Sequence, residues 1–383
     1  MLSLKILHVL RAPVGGLFRH VSDLVKGQIA RGHRVGIIAD SLTGDSRSRA
    51  MLAELEPHLA LGLTLTPISR SMGPRDLTAA IHVTQRVRAT RPDVIHGHGA
   101  KGGAFARLAL ARQPAIRAYT PHGGSLLLDP ASRSGKAYLA AERLLMPRGD
   151  LYLFESAYSA RMFNERVGTP GGLVRVVHNG VAENEFAPIA EAADATDLVF
   201  LGELRKVKGI DVLLDSVAGL HRHGMSVTAT LVGSGPEEAA LRERVAQLSL
   251  QRAVRFLPAM AAREAMTHGR IMVIPSRAES LPYVVLEAAA AGKRLITTNV
   301  GGIPEIYGPQ SGMLVPPGSS EQLADAIESA IKSPAALGYA TENLRARVAA
   351  AFSLNAMVDG VLSGYTAAIE RVPAMSQALL SVV

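Results

Sequence analysis

Two carboxylates eight residues apart, Glu279 and Glu287, are the first candidates for chemistry in this 383-residue chain. They lie in the stretch 271–305, IMVIPSRAESLPYVVLEAAAAGKRLITTNVGGIPE. Ile271 to Ile274 reads as a buried strand that stops at Pro275, and a polar loop then carries Glu279. A helix-like run from Tyr283 to Ala291 carries Glu287, Gly292 ends it, and Leu295 to Thr298 reads as the next strand. In such a βαβ unit the loop sits at the carboxyl edge of a parallel sheet, where open α/β sheets bind ligands. Either glutamate alone could be an ordinary surface acid; the pair, set between Pro275-Ser276 and Gly301-Gly302, points to a site. A second cluster is cationic. Arg205-Lys206-Val207-Lys208 places three cations in four residues between a strand end and a helix start, which suits a diphosphate or, as charge runs often are, a solvated turn. A third is a pair of histidines, His98 and His122, each at the carboxyl end of a strand and aimed at the same expected crevice.

The elements that must position these groups read as two α/β halves. In the first, residues 4–10 form a strand, Pro13-Val14-Gly15-Gly16 a turn, and a helix begins near Leu17, which brings backbone close to a phosphate at a positive helix end. The spacing is not G-x-G-x-x-G, so a dinucleotide fingerprint is absent. Strands follow at Val35–Ile38, Pro92–His96, Arg117–Thr120, Leu151–Phe154 and Val174–His178. Residues 41–76 hold a helical piece, Ser48 to Glu56, and an Arg-bearing loop, 69–75, that either grips an anionic acceptor or is simply solvated. Asp76–Thr90 reads as an amphipathic helix with Leu77, Ala80, Ile81 and Val87 on one face, interrupted by Thr84. Ala187 to Thr196 reads as the linker. The second half starts at Asp197, with strands at Leu198–Leu201, Ala229–Val232 and Val254–Leu257 before the central unit and at Gly312–Val315 after it. Ser319 with Gln322 forms a capping box for a helix to Ile331, and Leu354–Ile369 reads as a final amphipathic helix.

Pro-Ser-x-x-Glu, then Leu-Glu-Ala, then Gly-Gly-x-x-Glu at 301–305 resembles the donor site of family 4 glycosyltransferases, two-domain GT-B enzymes that use activated sugars. The resemblance implies that Glu279 contacts the transferred sugar and Glu287 holds ribose hydroxyls, with Leu281, Pro282 and Tyr283 beside the donor. It places Gly15 and Gly16 against the donor diphosphate, with Lys208 and Arg205 as its cations. It gives His122, in Thr-x-His, a catalytic place near the donor sugar, and leaves His20 and His98 on the acceptor side. Asn179-Gly180-Val181 also matches the family, just before the link between domains. Two positions depart from the family pattern: Glu203 stands where an Arg is usual, and Arg19 where an acid is usual. The implied fold is α/β, two Rossmann-like domains facing across a cleft: residues 1–190 for the acceptor, 197–350 for the donor, and a helical tail, 351–383, returning to the first domain. The implied reaction is sugar transfer from a nucleotide diphosphate to an acceptor hydroxyl with retention of anomeric configuration. The chain has no Asp-x-Asp to hold a divalent ion. Lys208, Arg205, the glycine amides and the helix start after Glu279 are therefore expected to stabilise the leaving diphosphate without metal or other cofactor.

Bulk composition bounds the partners. Hydrophobic content of 48% fills two cores, and the absence of cysteine excludes disulfides and thiolate metal sites, consistent with a cytoplasmic protein. The N-terminal apolar run is too short for a signal peptide, and no run reaches the ~18 residues of a membrane span. Residues 1–185 carry 24 Lys and Arg against 14 Asp and Glu, so the first half suits an anionic partner. With aromatics at 4% and no Trp or nucleic-acid motif, that partner is expected to be a lipid-linked or anionic saccharide acceptor at the inner face of a membrane rather than nucleic acid. Exopolysaccharide or envelope glycan and glycolipid assembly is the expected pathway. The alternatives are a non-hydrolysing sugar-nucleotide epimerase, which would turn over donor without acceptor, and a silent sugar-nucleotide-binding subunit.

Overall fold

The computed structural model describes residues 3–44 and 46–372. The chain divides into two compact units, one running to Asn179 and joined by the helix Leu354–Glu370, the other spanning Gly180–Ser353. Residues 373–383 of the expected tail lie outside the described residues.

The first unit is built on seven strands, β1 (Lys5–Leu10), β2 (Arg34–Asp40), β3 (Leu63–Thr66), β4 (Val94–His98), β5 (Ile116–Thr120), β6 (Leu151–Phe154) and β7 (Leu173–Val176). All pairings are parallel, in the order β3-β2-β1-β4-β5-β6-β7. Strands covered on both faces need continuous apolar sequence rather than alternation. Accordingly Ile6, Leu7, Val9 and Leu10 of β1 are all fully buried. The order reverses between β1 and β4, and that is the topological switch point where the loops diverge and leave a crevice. The helix Leu354–Glu370 packs Met357, Val358, Val361 and Tyr365 into the same core as Leu4, Ile6, Leu24 and Leu151.

The second unit repeats the scheme with β8 (Thr196–Leu201), β9 (Ala229–Val232), β10 (Val254–Leu257), β11 (Gly269–Ile274) and β12 (Arg294–Thr297), in the parallel order β10-β9-β8-β11-β12. Its switch point lies between β8 and β11. Among the described residues no helix is long and apolar enough to cross a membrane.

Several sequence expectations are corrected. The helix Arg75–Thr90 buries Ala79, Val83 and Val87, while Leu77 and Ile81 are 70% and 48% exposed. The buried stripe is thus one of small and β-branched residues, and Thr84 marks where the other stripe fails. Gly312–Val315 is not a strand. A 3-10 turn occupies Gly308–Met313, and only Val315 bridges to Thr298. Pro309, Pro316 and Pro317 lack the N–H groups a ladder needs there. β3 falls in the stretch 41–76, where no strand was read, and the helix Pro334–Ala351 was missed. The segment expected as a linker is fastened down. Arg263 donates to the carbonyls of Glu185, Ala187 and Pro188, and Phe186 and Ile189 pack on the second unit's core.

Candidate active site

In the second unit the loops leaving β8 and β11 meet at the switch point. They bring Lys208 and Glu279 together from 71 residues apart: Lys208 Nζ lies 2.6 Å from Glu279 Oε1. Ser276 Oγ donates to the same oxygen at 2.7 Å, and Ser276 is itself fully buried. Its carbonyl accepts from Thr298 Oγ1 at 2.6 Å, which ties the loop to the end of β12. Glu279 is thus held by one oxygen, with 8% of the residue exposed. The two loops are stitched by Arg277. Its amide donates to Val207 O, and its guanidinium grips both oxygens of Asp211 at 2.7 Å, holding the Asp211 carboxyl below its usual range against the cost of burial. Bidentate geometry of this kind fixes orientation as well as charge.

Two glycines permit the approach. Gly209 has φ +67°, and a Cβ there would lie 2.0 Å from Pro275 O. Gly301 has φ +61°, and a Cβ there would lie 1.9 Å from the carbonyl oxygen of Glu279. Gly302 donates its amide to Ser280 O at 2.6 Å. Only glycine satisfies both the left-handed backbone and the close contact at these positions. The Gly-Gly after β12 is therefore what seats the glutamate loop.

Leu281, Pro282 and Tyr283 are buried at the start of the helix Tyr283–Ala290, whose first turn has neither a side-chain cap nor an acid. Glu287 is half-buried on that helix. Arg205 does not join the Lys208–Glu279 cluster. It is exposed and paired at 3.5 Å with Glu203, the acid that stands in the place of the family's Arg.

In the first unit the switch point holds five buried or half-buried histidines, of which the sequence singled out three as site residues. β1 and β4 pair in register, His8 beside His96 and Leu10 beside His98, so alternate residues of the two strands face the same side. His98, expected just past its strand, is its last residue. A line of hydrogen bonds runs Gln28 Oε1···His8 Nε2 (2.8 Å), His8 Nδ1···His98 Nε2 (2.9 Å), His98 Nδ1···His122 Nε2 (3.0 Å). His96 is engaged at both nitrogens, by Tyr365 OH at 2.7 Å and Thr120 Oγ1 at 2.9 Å. His20 meets Asn179 Oδ1 at 3.0 Å through Nδ1, so the Asn of the Asn-Gly-Val motif anchors a histidine. Burial pushes His8 and His20 down to about 4, against the opposing pull of their Gln28 and Asn179 hydrogen bonds. Burial and the neighbouring histidines hold His96, His98 and His122 well below the ordinary imidazole value. All five are neutral at pH 7.

His122 adopts φ +53°, the left-handed region, and Gly123 and Gly124 follow it with positive φ. A non-glycine residue held there is strained by its surroundings, a recurrent mark of functional positions. Beneath its loop, Glu142 accepts from Tyr119 OH (2.6 Å), Ser125 Oγ (2.9 Å) and Arg107 (2.7 Å), a buried network that pins residues 124–127. Gly15 and Gly16 open the helix Gly15–Ala30, exposed, with no side-chain cap and no acid in the first turn. That leaves backbone amides suited to an anion.

Sequence reasoning passed over His8, Gln28 and Arg277, and counted Ser276 in the motif without giving it a role. The signal for His8 was a lone polar residue inside the apolar run Ile6–Leu10. Among the described residues two histidine trios, His8–His96–His98 and His20–His98–His122, bring ligand atoms within 4.8 Å of one another. In the first, all six imidazole nitrogens of the trio already serve hydrogen bonds within the core. In the second, His98 and His122 spend their facing nitrogens on each other.

Residues 14–185 match the family model described as Glycosyltransferase Family 4, and residues 195–333 match that described as Glycosyl transferases group 1. The chain belongs to the family 4, group 1 glycosyltransferases. It is a hexosyltransferase of that kind. Glycogen synthase of Mycobacterium tuberculosis is 27% identical over 93% of this chain and 92% of that protein. The putative teichuronic acid biosynthesis glycosyltransferase TuaC of Bacillus subtilis is 29% identical over 66% of this chain and 65% of that one. Among solved structures, that of Anabaena HepE in complex with UDP-glucose matches with a TM-score of 0.78 at 22% identity, covering 95% of this transferase and 100% of that chain. The two sheets are thus the paired Rossmann-like units of the GT-B fold.

Proposed function

We propose that this transferase moves a hexose from a nucleotide diphosphate to an acceptor hydroxyl with retention of configuration and without a metal ion. The observation that carries the reading is the Lys208–Glu279–Ser276 cluster at the second unit's switch point. Cleaving the sugar–phosphate bond builds negative charge on the departing diphosphate and positive, oxocarbenium-like charge on the sugar. Lys208 supplies a fixed cation for the first. Glu279, fixed through Oε1 by Ser276 and Lys208, offers Oε2 to the sugar hydroxyls. Glu287 holds the ribose of the nucleotide, and His122 a hydroxyl of the hexose. The reading assigns no covalent nucleophile, and retention follows from attack on the face the phosphate leaves. Arg205 contributes little, since Glu203 neutralises it at the surface.

The acceptor we propose is a saccharide, free or lipid-linked, in envelope or exopolysaccharide assembly on the cytoplasmic side of the membrane. The excess of cations in residues 1–185 supports it, as does the helix Arg75–Thr90, which exposes Leu77 and Ile81 beside the exposed Arg75 and Arg88. Such a face suits shallow contact with anionic lipid. A thermal-shift panel of nucleotide sugars and bare nucleotides, with and without EDTA, tests the donor site. A ligand at 100 times its dissociation constant adds about 2.7 kcal/mol. One donor should raise the melting temperature equally in EDTA, and Glu287→Ala should abolish the rise. A rise that disappears in EDTA would contradict metal independence.

A further inference from the structure

The line Gln28–His8–His98–His122 has a direction. A neutral imidazole carries one proton, so each ring can donate at one nitrogen only and must accept at the other. Gln28 Oε1 can only accept, so His8 must donate to it from Nε2. His8 Nδ1 then holds a lone pair and takes the proton of His98 Nε2. His98 Nδ1 is left as an acceptor, and His122 Nε2 donates to it. The last lone pair in the line falls on His122 Nδ1.

We propose that Gln28, His8 and His98 are positioning residues that lock His122 in the tautomer protonated at Nε2, so that Nδ1 faces substrate as a hydrogen-bond acceptor. The proposal rests on the reading of His122 as a residue of the donor sugar site and goes beyond it by fixing what His122 can recognise. An imidazole lone pair accepts from a sugar hydroxyl and repels a phosphate oxygen. His122 therefore selects a hydroxyl-bearing hexose over a phosphate. The line is not a proton conduit, because it ends on a carboxamide that takes up no proton. His8 and His98 are buried and His122 half-buried, and all three are neutral, which keeps the polarity of the line intact through the neutral range. The residues are drawn from the helix Gly15–Ala30, β1, β4 and the loop after β5. The lock is therefore built from the rigid core of the first unit rather than from the loop that carries His122.

The test is imidazole 15N NMR of the full chain labelled at histidine, with two-bond 1H–15N correlations assigned by His98→Ala and His122→Ala. In the wild type at pH 7.5, His98 and His122 should both show a protonated Nε2 and a bare Nδ1. Gln28→Leu and His8→Leu remove an acceptor from the line and should let it reverse, so that proton occupancy appears on Nδ1 of His122. His8→Asn, whose Oδ1 stands where Nδ1 stood, should restore the wild-type tautomer of His98 and His122. A role confined to packing would leave the tautomers unmoved. With UDP-glucose as the probe donor, His8→Leu should lower kcat roughly tenfold, the size of one misdirected hydrogen bond, with KM for donor within about twofold. The proposal is overturned by a wild-type His122 protonated at Nδ1, or by unchanged tautomers in both Gln28→Leu and His8→Leu. Full turnover by His122→Ala would instead overturn the donor-site reading of His122, and the tautomer spectra separate that outcome from failure of the lock.

Discussion

Lowering the pH from 7 to 5 should selectively destabilise the first unit. The sign follows from the histidine cluster. Folding lowers the histidine pKa values, so the unfolded chain binds more protons as pH falls through the ordinary value of about 6.5. Stability is therefore fully present above that value and is lost progressively toward the folded value of about 4 for His8 and His20. At pH 5 each of these two is nearly fully protonated when unfolded and nearly unprotonated when folded, which costs about 2 kcal/mol apiece relative to pH 7. The pair alone thus removes about 4 kcal/mol, and His96, His98 and His122 act in the same direction. Against a domain stability of 5–15 kcal/mol that is a large fraction. The window lies above the ordinary carboxylate range, so acid titration of Asp and Glu contributes little to it. Melting followed by circular dichroism from pH 7.5 to 5 should show a fall of roughly 8–16 °C in the transition of the first unit. Hydrogen exchange over residues 5–10 and 94–98 should rise in parallel, and exchange over 269–274 in the second unit should change less. A first-unit transition that stays flat across this window would refute the reasoning, since it would mean that the histidines are already charged in the folded state or that the unfolded chain keeps them neutral.

Two substitutions probe the second unit. Lys208→Met removes the cation beside Glu279 and should weaken binding of whichever nucleotide sugar stabilises the wild type at least roughly tenfold in calorimetry, the size of a lost charge-assisted hydrogen bond, while the second unit stays folded. Gly301→Ala forces a Cβ into the Glu279 carbonyl at a left-handed residue and should cost about 2 kcal/mol or more in denaturant unfolding of the second unit, with donor affinity falling in the same protein.

How much of this was legible in the sequence differs between the units. The glutamate loop was legible because its parts are contiguous: Pro275 ends the strand, Tyr283 starts the helix, and Gly301 returns to the loop within one βαβ unit. The meeting of Lys208 with Glu279 was approachable because both follow strands that end at one sheet edge. The histidine line was not legible, since it depends on β1 lying beside β4, a contact between residues ninety apart that only the strand order supplies. Nor could the sequence show that Arg205 would be taken by Glu203, because both side chains are long and exposed and their pairing is decided by the turn they share. The stripe on the helix Arg75–Thr90 was misassigned because two apolar registers were available. Packing chose Ala79, Val83 and Val87, which let the helix lie close to the sheet, over the bulkier Leu77 and Ile81. The helix Pro334–Ala351 escaped notice because few of its positions, among them Leu344 and Val348, are buried, too few to print an apolar period through its charged residues.

The most direct measurement is the release of nucleotide in EDTA, from whichever nucleotide sugar stabilises the wild type, by the wild type and by Glu279→Gln, in the presence of a panel of saccharide and lipid-linked acceptors. The substitution keeps the shape of the side chain and removes the charge that Lys208 and Ser276 hold in place. Sugar transfer that proceeds in EDTA, gives a product of unchanged anomeric configuration, and falls by roughly a hundredfold or more in Glu279→Gln is the predicted result. Undiminished turnover by Glu279→Gln in a folded protein, or an inverted product, would contradict the account.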